Sequence, residues 1–387
     1  MLSGFYFTVS MMKKEIEIVG AGPSGLAAAI NLARAGYSVT VYEEKTDVGH
    51  RFHGDYQGLE NWSTKEDVTL LLERIGIGQA GRYFVRHPYN ELTVFDANLN
   101  QVVIRSDIPL FYLVRRGDAP GCLDRGLHEI AVDAGVQVVF GERVDRLERG
   151  GIVSIGPRAA DAIAKGILFD TTMGDTAAVI LDDRLATKGY AYLLIHNGKG
   201  TLATCMFRDF KRERECFERT VETFERIFPS LDITNKKEFG GYGNFFIGRP
   251  LYENGKYYTG EAAGLQDCLW GFGLRYAMVS GYLAATSIIE SSDYVSLLKK
   301  ELLPMQRISL VNRFIYECLG NRGYTFFINW LAKGDTVTKA RRQYNQSRWK
   351  MFIYPLARWW HKSSLVDKGC HSEDCTCVWC KCKKELR

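Results

Sequence analysis

Two clusters of residues have types and spacings that chemistry can use. The first is Gly20-Ala21-Gly22-Pro23-Ser24-Gly25, with Glu43 following twenty-three residues after Gly20. Glycines at the first, third and sixth places of such a run suit a turn from a strand into a helix. Gly20 permits the tight turn. Gly22 has no Cβ, so the backbone can approach a pyrophosphate, and Gly25 allows close packing of the helix. The helix start adds free N–H groups and a partial positive charge for phosphates. Glu43 can accept hydrogen bonds from ribose hydroxyls, and its charge repels a 2′-phosphate, which disfavours NADP. Glu44, beside it, is a further candidate contact. The context matches the motif: Glu15–Val19 has strand character, Leu26–Ala35 helical character and Tyr37–Tyr42 strand character, a βαβ unit. One such unit serves FAD and NAD alike, so the motif alone leaves the two open.

The second cluster lies at the other end: Cys375, Cys377, Cys380 and Cys382, with Cys370 and His371 upstream. C-x-x-C spacing lets two thiolates reach one ion, and four sulfurs make a tetrahedral zinc site. An iron–sulfur cluster is the alternative occupant and would offer a one-electron route. Lys381, Lys383 and Lys384 favour thiolates by lowering their pKa. Redox-active or unengaged thiols and disulfides are the competing readings. A structural zinc site usually joins two separated knuckles, whereas these four thiols share one short run.

Between the clusters run the elements that must position them. Asp118–Ala134 has helical spacing, and Val136–Phe140 is a further buried strand. Tyr190–Arg208 has sheet character and Val221–Phe228 helical character. Tyr257–Thr259 leads into a second glycine-rich loop, Gly260–Gly273, and then a helix over Tyr276–Ser291. From Val295 to Pro355 the pattern is helical and aromatic. Tyr190, Tyr192, Leu193, Leu194, Phe207, Phe210, Tyr242, Phe245 and Phe246 either line an apolar channel or fill a sheet–helix core. Arg341, Arg342, Arg348, Lys350 and Arg358 interleave with Tyr344, Trp349, Phe352, Tyr354, Trp359 and Trp360. That mixture suits either an anionic bilayer surface or a helix packed on its own domain.

Composition narrows the classes. A chain of 387 residues with 46% hydrophobic and 25% charged residues has the makeup of a folded protein of about two domains. The net charge of +5 is uneven: residues 333–387 hold thirteen Lys/Arg against five Asp/Glu, which leaves the remainder slightly acidic. A nucleic-acid role for the whole chain is therefore not expected. No apolar run reaches the roughly 18–20 residues of a bilayer span. The stretch Leu2–Val9 lacks a basic flank, so a signal peptide is not expected either, and Met11 or Met12 would serve as a start. Cys122, Cys205, Cys216, Cys268 and Cys318 are scattered, which reads as buried small hydrophobes. The expected location is cytoplasmic, with peripheral contact at a membrane surface as the variant.

Three segments together resemble the geranylgeranyl reductase family of FAD-dependent oxidoreductases, relatives of the aromatic hydroxylases. They are the Gly20–Gly25 run; Tyr112-Leu113-Val114-Arg115-Arg116 with Leu123-Asp124-Arg125-Gly126-Leu127; and Thr259-Gly260-Glu261-Ala262-Ala263-Gly264 followed by Leu269–Gly281. The resemblance implies FAD as cofactor, Arg115 beside it, and Gly260-Glu261 holding the ribityl chain. It also implies Gly271, Gly273 and Leu274 presenting a helix start to the flavin. Glu261 stands where the family usually has Asp. His53 occupies the place of a family cysteine and becomes the candidate proton donor, with Arg51 a candidate phosphate contact. Gly156–Asp161 matches the family's corresponding segment poorly and receives no role.

The implied fold is α/β. A Rossmann-type FAD-binding domain (13–165 and 250–290) carries an inserted sheet-based substrate domain (166–249), a helical C-terminal region (291–365) and a cysteine-rich tail (366–387). The implied activity is reduction of isoprenoid double bonds in a hydrophobic prenyl-type lipid or quinone precursor, with NAD(P)H or a ferredoxin-like protein as electron donor. The rivals are an FAD-dependent monooxygenase or halogenase acting on an aromatic compound, and a flavin electron-transfer or metal-binding accessory protein. The Trp-x-Trp-x-Ile-Pro pattern of flavin halogenases is absent from the sequence.

Overall fold

The computed structural model describes residues 14–78, 80–157, 160–245 and 250–364. The cysteine cluster at 375–382, Phe246 and part of the Gly156–Asp161 segment lie outside the described residues.

Alternating β-branched residues make the first strand pair. Glu15–Val19 and Ser38–Glu43 run parallel, with Ile16 opposite Val39 and Ile18 opposite Val41. Ile18, Val39 and Val41 are buried. Helix Pro23–Arg34 crosses between them, with Pro23 in its first turn, where the missing N–H has no partner to lose. The six-stranded sheet has the order Tyr252–Glu253, Lys256–Tyr258, Gly151–Val153, Glu15–Val19, Ser38–Glu43, Gln137–Phe140. Its pairs are parallel except at the Tyr252–Glu253 edge. This is the doubly wound arrangement in which ligands lie beyond the carboxyl ends of the strands.

The second sheet has seven strands: Thr234–Gly243, Ala162–Asp170, Lys199–Met206, Tyr190–His196, Thr176–Ile180, Glu91–Phe95 and Gln101–Arg105. Its last two strands, and the start of the strand Ala162–Asp170, come from within the span that the sequence assigns to the FAD domain. A cut at residue 165 therefore does not separate the sheets in space. The sheet shows the period of two expected of a strand with two packed faces. Ala191, Leu193 and Ile195 face helix Glu213–Ile227 through Phe217 and Phe224. Tyr190, Tyr192 and Leu194 face the other way, toward Leu269, Trp270, Tyr316 and Tyr324. A three-stranded antiparallel sheet, Tyr56–Glu60, Phe111–Arg115 and Arg86–Tyr89, is hydrogen-bonded to the seven-stranded sheet through Tyr56 and Tyr89.

The C-terminal helices Tyr294–Glu301, Leu303–Ala332, Thr336–Tyr344 and Arg348–Ser364 cap this assembly. The long helix is broken at Gly320, whose φ is +58°. The last helix does not stop at Pro355, where the sequence pattern suggested an end, but continues to Ser364. Proline leaves the carbonyl of Met351 unbonded. Ala357, Trp360 and His361, packed on the domain, hold the turn beyond it. Among the described residues no helix is long and apolar enough to cross a membrane.

Candidate functional site

Gly20 has φ +99°, and a Cβ there would lie 2.6 Å from the carbonyl oxygen of Ser154. A Cβ on Gly25 would collide with the Gly20 carbonyl oxygen, so the helix start and the turn touch backbone to backbone. Gly22 differs: a Cβ there would meet nothing within 4 Å. Gly22 is the N-cap of the helix and supplies no side chain to its first N–H groups. Open space, unclaimed donors and a helix dipole coincide at that point.

Glu43 closes the loop from the other side. Ala21 N–H donates to its Oε2 at 2.8 Å and Lys45 N–H to its Oε1 at 2.9 Å. Each oxygen keeps a lone pair free for a ribose hydroxyl. Glu44 is paired at the surface with Lys45 Nζ at 2.6 Å, which holds its carboxyl below the usual range.

The second motif packs directly on the first. Gly260 has φ +54°, and a Cβ on it would lie 2.9 Å from Ser24 Oγ. Its N–H donates to Ser280 Oγ at 2.9 Å. Gly281, one turn of helix away from Ala277, presses on the carbonyl oxygen of Ser24 with no room for a Cβ. The Leu274–Glu290 helix therefore lies against the Pro23–Arg34 helix at backbone distance. It starts at Gly273 without a side-chain cap. Gly271 has φ +79°, and its carbonyl accepts from Gln266 Nε2 at 2.6 Å. Gln266 Oε1 is buried without a partner.

Glu261 is reached by Arg51, whose Nη1 is 3.4 Å from its Oε2. Burial pushes the Glu261 carboxyl up, while Arg51 and Arg116 oppose that shift. Arg115 ends its strand beside Gly54, where a Cβ would lie 3.0 Å from Arg115 Nη2. His53 is exposed on the same loop, and its backbone N–H donates to Asp55 Oδ1 at 3.1 Å. The structure thus brings Gly20, Gly22, Gly25, Gly260 and the Arg51–Glu261 pair together around two helix starts. Glu44 is turned to its surface lysine.

Several residues around the site received no role from the sequence. Arg116 makes a buried two-pronged pair with Asp124, Nε to Oδ2 and Nη2 to Oδ1, both at 2.8 Å. It also donates to Gln57 Oε1 at 3.0 Å and stacks on Phe52 at 3.8 Å. Gly117 N–H joins Asp124 Oδ2 at 2.9 Å. This network anchors the 49–55 loop that carries Arg51 and His53. Deeper, Arg275 in the first turn of the second helix faces Glu60 at 3.3 Å, with both side chains almost fully buried. Burial raises the Glu60 carboxyl to about 7 against the pull of Arg275. Glu60 Oε2 and the Tyr276 hydroxyl are buried without hydrogen-bond partners. Asp267, held by Trp270 N–H at 2.7 Å and Tyr344 Oη at 3.1 Å, is raised to about 6, again by burial.

The residues present fit a dinucleotide. The space at Gly22 would admit a pyrophosphate, Glu43 has acceptor capacity for a ribose, and the uncapped helix start at Gly273 would offer further N–H donors. Among the described residues no group of His, Cys, Asp and Glu is arranged to hold a metal ion.

Comparison with known proteins agrees with this geometry. Residues 18–58 match the family described as NAD(P)-binding Rossmann-like domain. Thiamine thiazole synthase of Pyrococcus horikoshii is 33% identical over 66 residues, which is 17% of this chain and 26% of that protein. The chain thus aligns with about a quarter of that relative's length. Similarity of fold extends much further. A geranylgeranyl bacteriochlorophyll reductase-like protein from Thermoplasma acidophilum superposes with a TM-score of 0.67 at 16% identity, covering 89% of this chain and 99% of that one. A flavin-dependent brominase superposes with a TM-score of 0.64 at 15% identity, covering 90% and 100%. The chain therefore has the fold of the FAD-dependent oxidoreductases, built on an NAD(P)-binding Rossmann-like domain.

Proposed function

We propose that the protein is an FAD-dependent oxidoreductase that reduces isoprenoid double bonds in a lipid or quinone precursor. The observation that carries the cofactor is the junction at Ser24, where Gly260 and Gly281 of the second motif close on the first helix. The two uncapped starts, Gly22 and Gly273, belong to the helices joined there, which supports a reading in which both serve one extended ligand. Bound flavin, once reduced, would supply a hydride, and the protein would orient substrate and exclude water. Tyr190 and Tyr192 form an aromatic wall on the sheet face turned toward the Gly264–Gly273 loop, and Tyr190 Oη donates to the Trp270 carbonyl at 2.8 Å. Such a wall suits an apolar prenyl chain. The near-complete mutual coverage with the reductase-like protein supports the reductase reading. The comparable superposition of the brominase keeps oxygen-dependent chemistry on an aromatic compound as the second reading.

The cysteine cluster at 375–382 stays a proposal of its own: zinc or an iron–sulfur cluster held by Cys375, Cys377, Cys380 and Cys382. Metal analysis of the intact chain and of a chain ending at Lys368 tests it, and equal metal content in the two refutes it.

The reaction is tested anaerobically. Dithionite-reduced protein, mixed with prenyl lipids and followed by mass spectrometry, should add two hydrogens to each double bond reduced. Oxygen uptake coupled to hydroxylation or halogenation of an aromatic compound, with prenyl lipids left unchanged, would establish the second reading instead.

A further inference from the structure

We propose that the outer face of the last described helix, Arg348–Ser364, docks the protein on an anionic lipid bilayer, with the helix lying in the plane of the surface. This does not rest on the reaction proposed above. The inner face of the helix is already accounted for. Ala357, Ile353 and Tyr354 pack with Phe314 and Leu310 of the long helix, and Trp360 meets Phe314 edge to face at 5.4 Å. On the opposite side Trp349, Phe352, Leu356 and Trp359 are 53%, 87%, 51% and 66% exposed. At 100° per residue these four positions fall within an arc of roughly 80°, so they form one stripe. Single exposed apolar residues need no explanation, but an ordered stripe of large ones marks a surface that something covers.

Charge identifies the occupant. From Thr336 to Ser364 the sequence contains seven Lys/Arg and no Asp/Glu. Arg348 is exposed beside the stripe, and Arg358 is exposed further round the same helix. Tryptophan and arginine next to aliphatic side chains suit the headgroup boundary, where one end of each side chain is apolar and the other wet. A second copy docking through the same face would oppose two surfaces whose charges have one sign, since no Asp or Glu lies between Thr336 and Ser364. Residues 365–387 carry five Lys/Arg and four Asp/Glu, so they do not complement the face either. An anionic bilayer meets both requirements at once.

Flotation of the full chain with vesicles decides the matter. The vesicles are phosphatidylcholine alone or phosphatidylcholine mixed with phosphatidylglycerol, at low and high salt. The chain should float with the anionic vesicles at low salt at least about tenfold more than with neutral ones, and salt should reverse this. The combined variant Trp349→Ser, Phe352→Ser, Leu356→Ser and Trp359→Ser should lose at least about tenfold of that binding with an unchanged melting temperature. Phe352→Ser alone, the most exposed position, should lose part of it and serves if the combined variant misfolds. Absence of binding by the parent chain overturns the proposal, as does undiminished binding by both variants. A dimer that the combined variant abolishes, without vesicle binding, overturns it in favour of self-association. Binding that emerges only after residues 365–387 are removed overturns it in favour of cover by the chain's own tail.

Discussion

The two halves of the molecule are held together by opposite means. In the Rossmann half, elements meet at backbone distance. Gly25 presses on the Gly20 carbonyl, Gly281 on the Ser24 carbonyl, and Gly260 on Ser24 Oγ. In the seven-stranded half, large side chains fill the space. Tyr316 stacks on Tyr324 at 4.2 Å, Trp270 meets Tyr316 edge to face at 5.2 Å, and a buried Arg313 lies 4.1 Å from Phe207. Arg313 also donates to the carbonyls of Leu269 at 2.8 Å and Lys188 at 2.6 Å. A glycine contact tolerates no added atom, whereas an aromatic wall can change its residues while keeping its volume. The first arrangement fixes the residues at the contact, and the second leaves their identity open to exchange at constant volume.

The largest effect that separates the halves should come from Gly281→Val. Its side chain would occupy the position of the Ser24 carbonyl, backbone that cannot turn away. A loss of more than about 3 kcal/mol, or failure to fold, is expected in urea unfolding; a shift near zero would contradict the close helix contact. Next is Arg313→Met. It leaves two carbonyls without donors and removes a cation 3.4 Å from the buried Glu317, which keeps Arg208 at 2.7 Å. About 3 kcal/mol should be lost while the fold persists; no change in the urea midpoint would mean that packing alone sustains this half.

A smaller effect lies where the halves meet. Because the Glu60 carboxyl is raised to about 7 in the folded protein, the folded state binds more protons than the unfolded state between about pH 4.5 and 7. Stability from this group therefore falls as pH rises through that window, by up to roughly 3 kcal/mol. Asp267, raised to about 6, contributes with the same sign, while His361, lowered to about 4, works the other way below pH 6.5. The measurement is thus a difference. Glu60→Gln should make the plot of melting temperature against pH less negative in slope between pH 5 and 7 than that of the parent, and parallel plots would refute the assignment. The smallest stability effect should come from Arg51→Ala, since its pair with Glu261 is half-exposed. A change within about 1 kcal/mol is expected, together with weaker FAD binding in a fluorescence titration; unaltered affinity would remove Arg51 from the site.

The contrast also explains what the sequence could reveal. The Rossmann half was legible because its constraints are glycines: Gly20–Gly25 sits in a short window, and Glu43 returns to that same loop at Ala21. The Gly260–Gly273 loop was legible for the same reason and through its family resemblance. The Glu60–Arg275 pair was not, since its members lie 215 positions apart and each reads as an ordinary surface charge. Arg116 and Asp124 stand only eight apart, but nothing in their spacing distinguishes a buried pair from an exposed one. The strands Glu91–Phe95 and Gln101–Arg105 join the seven-stranded sheet across a long stretch of chain. Pairing of that kind is fixed by tertiary packing and leaves no local pattern. His53 came forward from resemblance alone, and the structure sets it on an exposed loop rather than among the buried acids.

The central claim is that two glycine-built helix starts form one FAD site, and Gly22 gives the most direct test. A side chain at Gly22 meets no protein atom, so Gly22→Val should fold as the parent does. It should nevertheless block the space required by the pyrophosphate. Titration of the purified chain and of Gly22→Val with FAD, beside their melting curves, separates the two effects. The account predicts saturable FAD binding by the parent, loss of binding in the variant, and melting temperatures that agree in the absence of FAD. A parent chain that does not bind FAD, or a variant that binds it equally well, would contradict it.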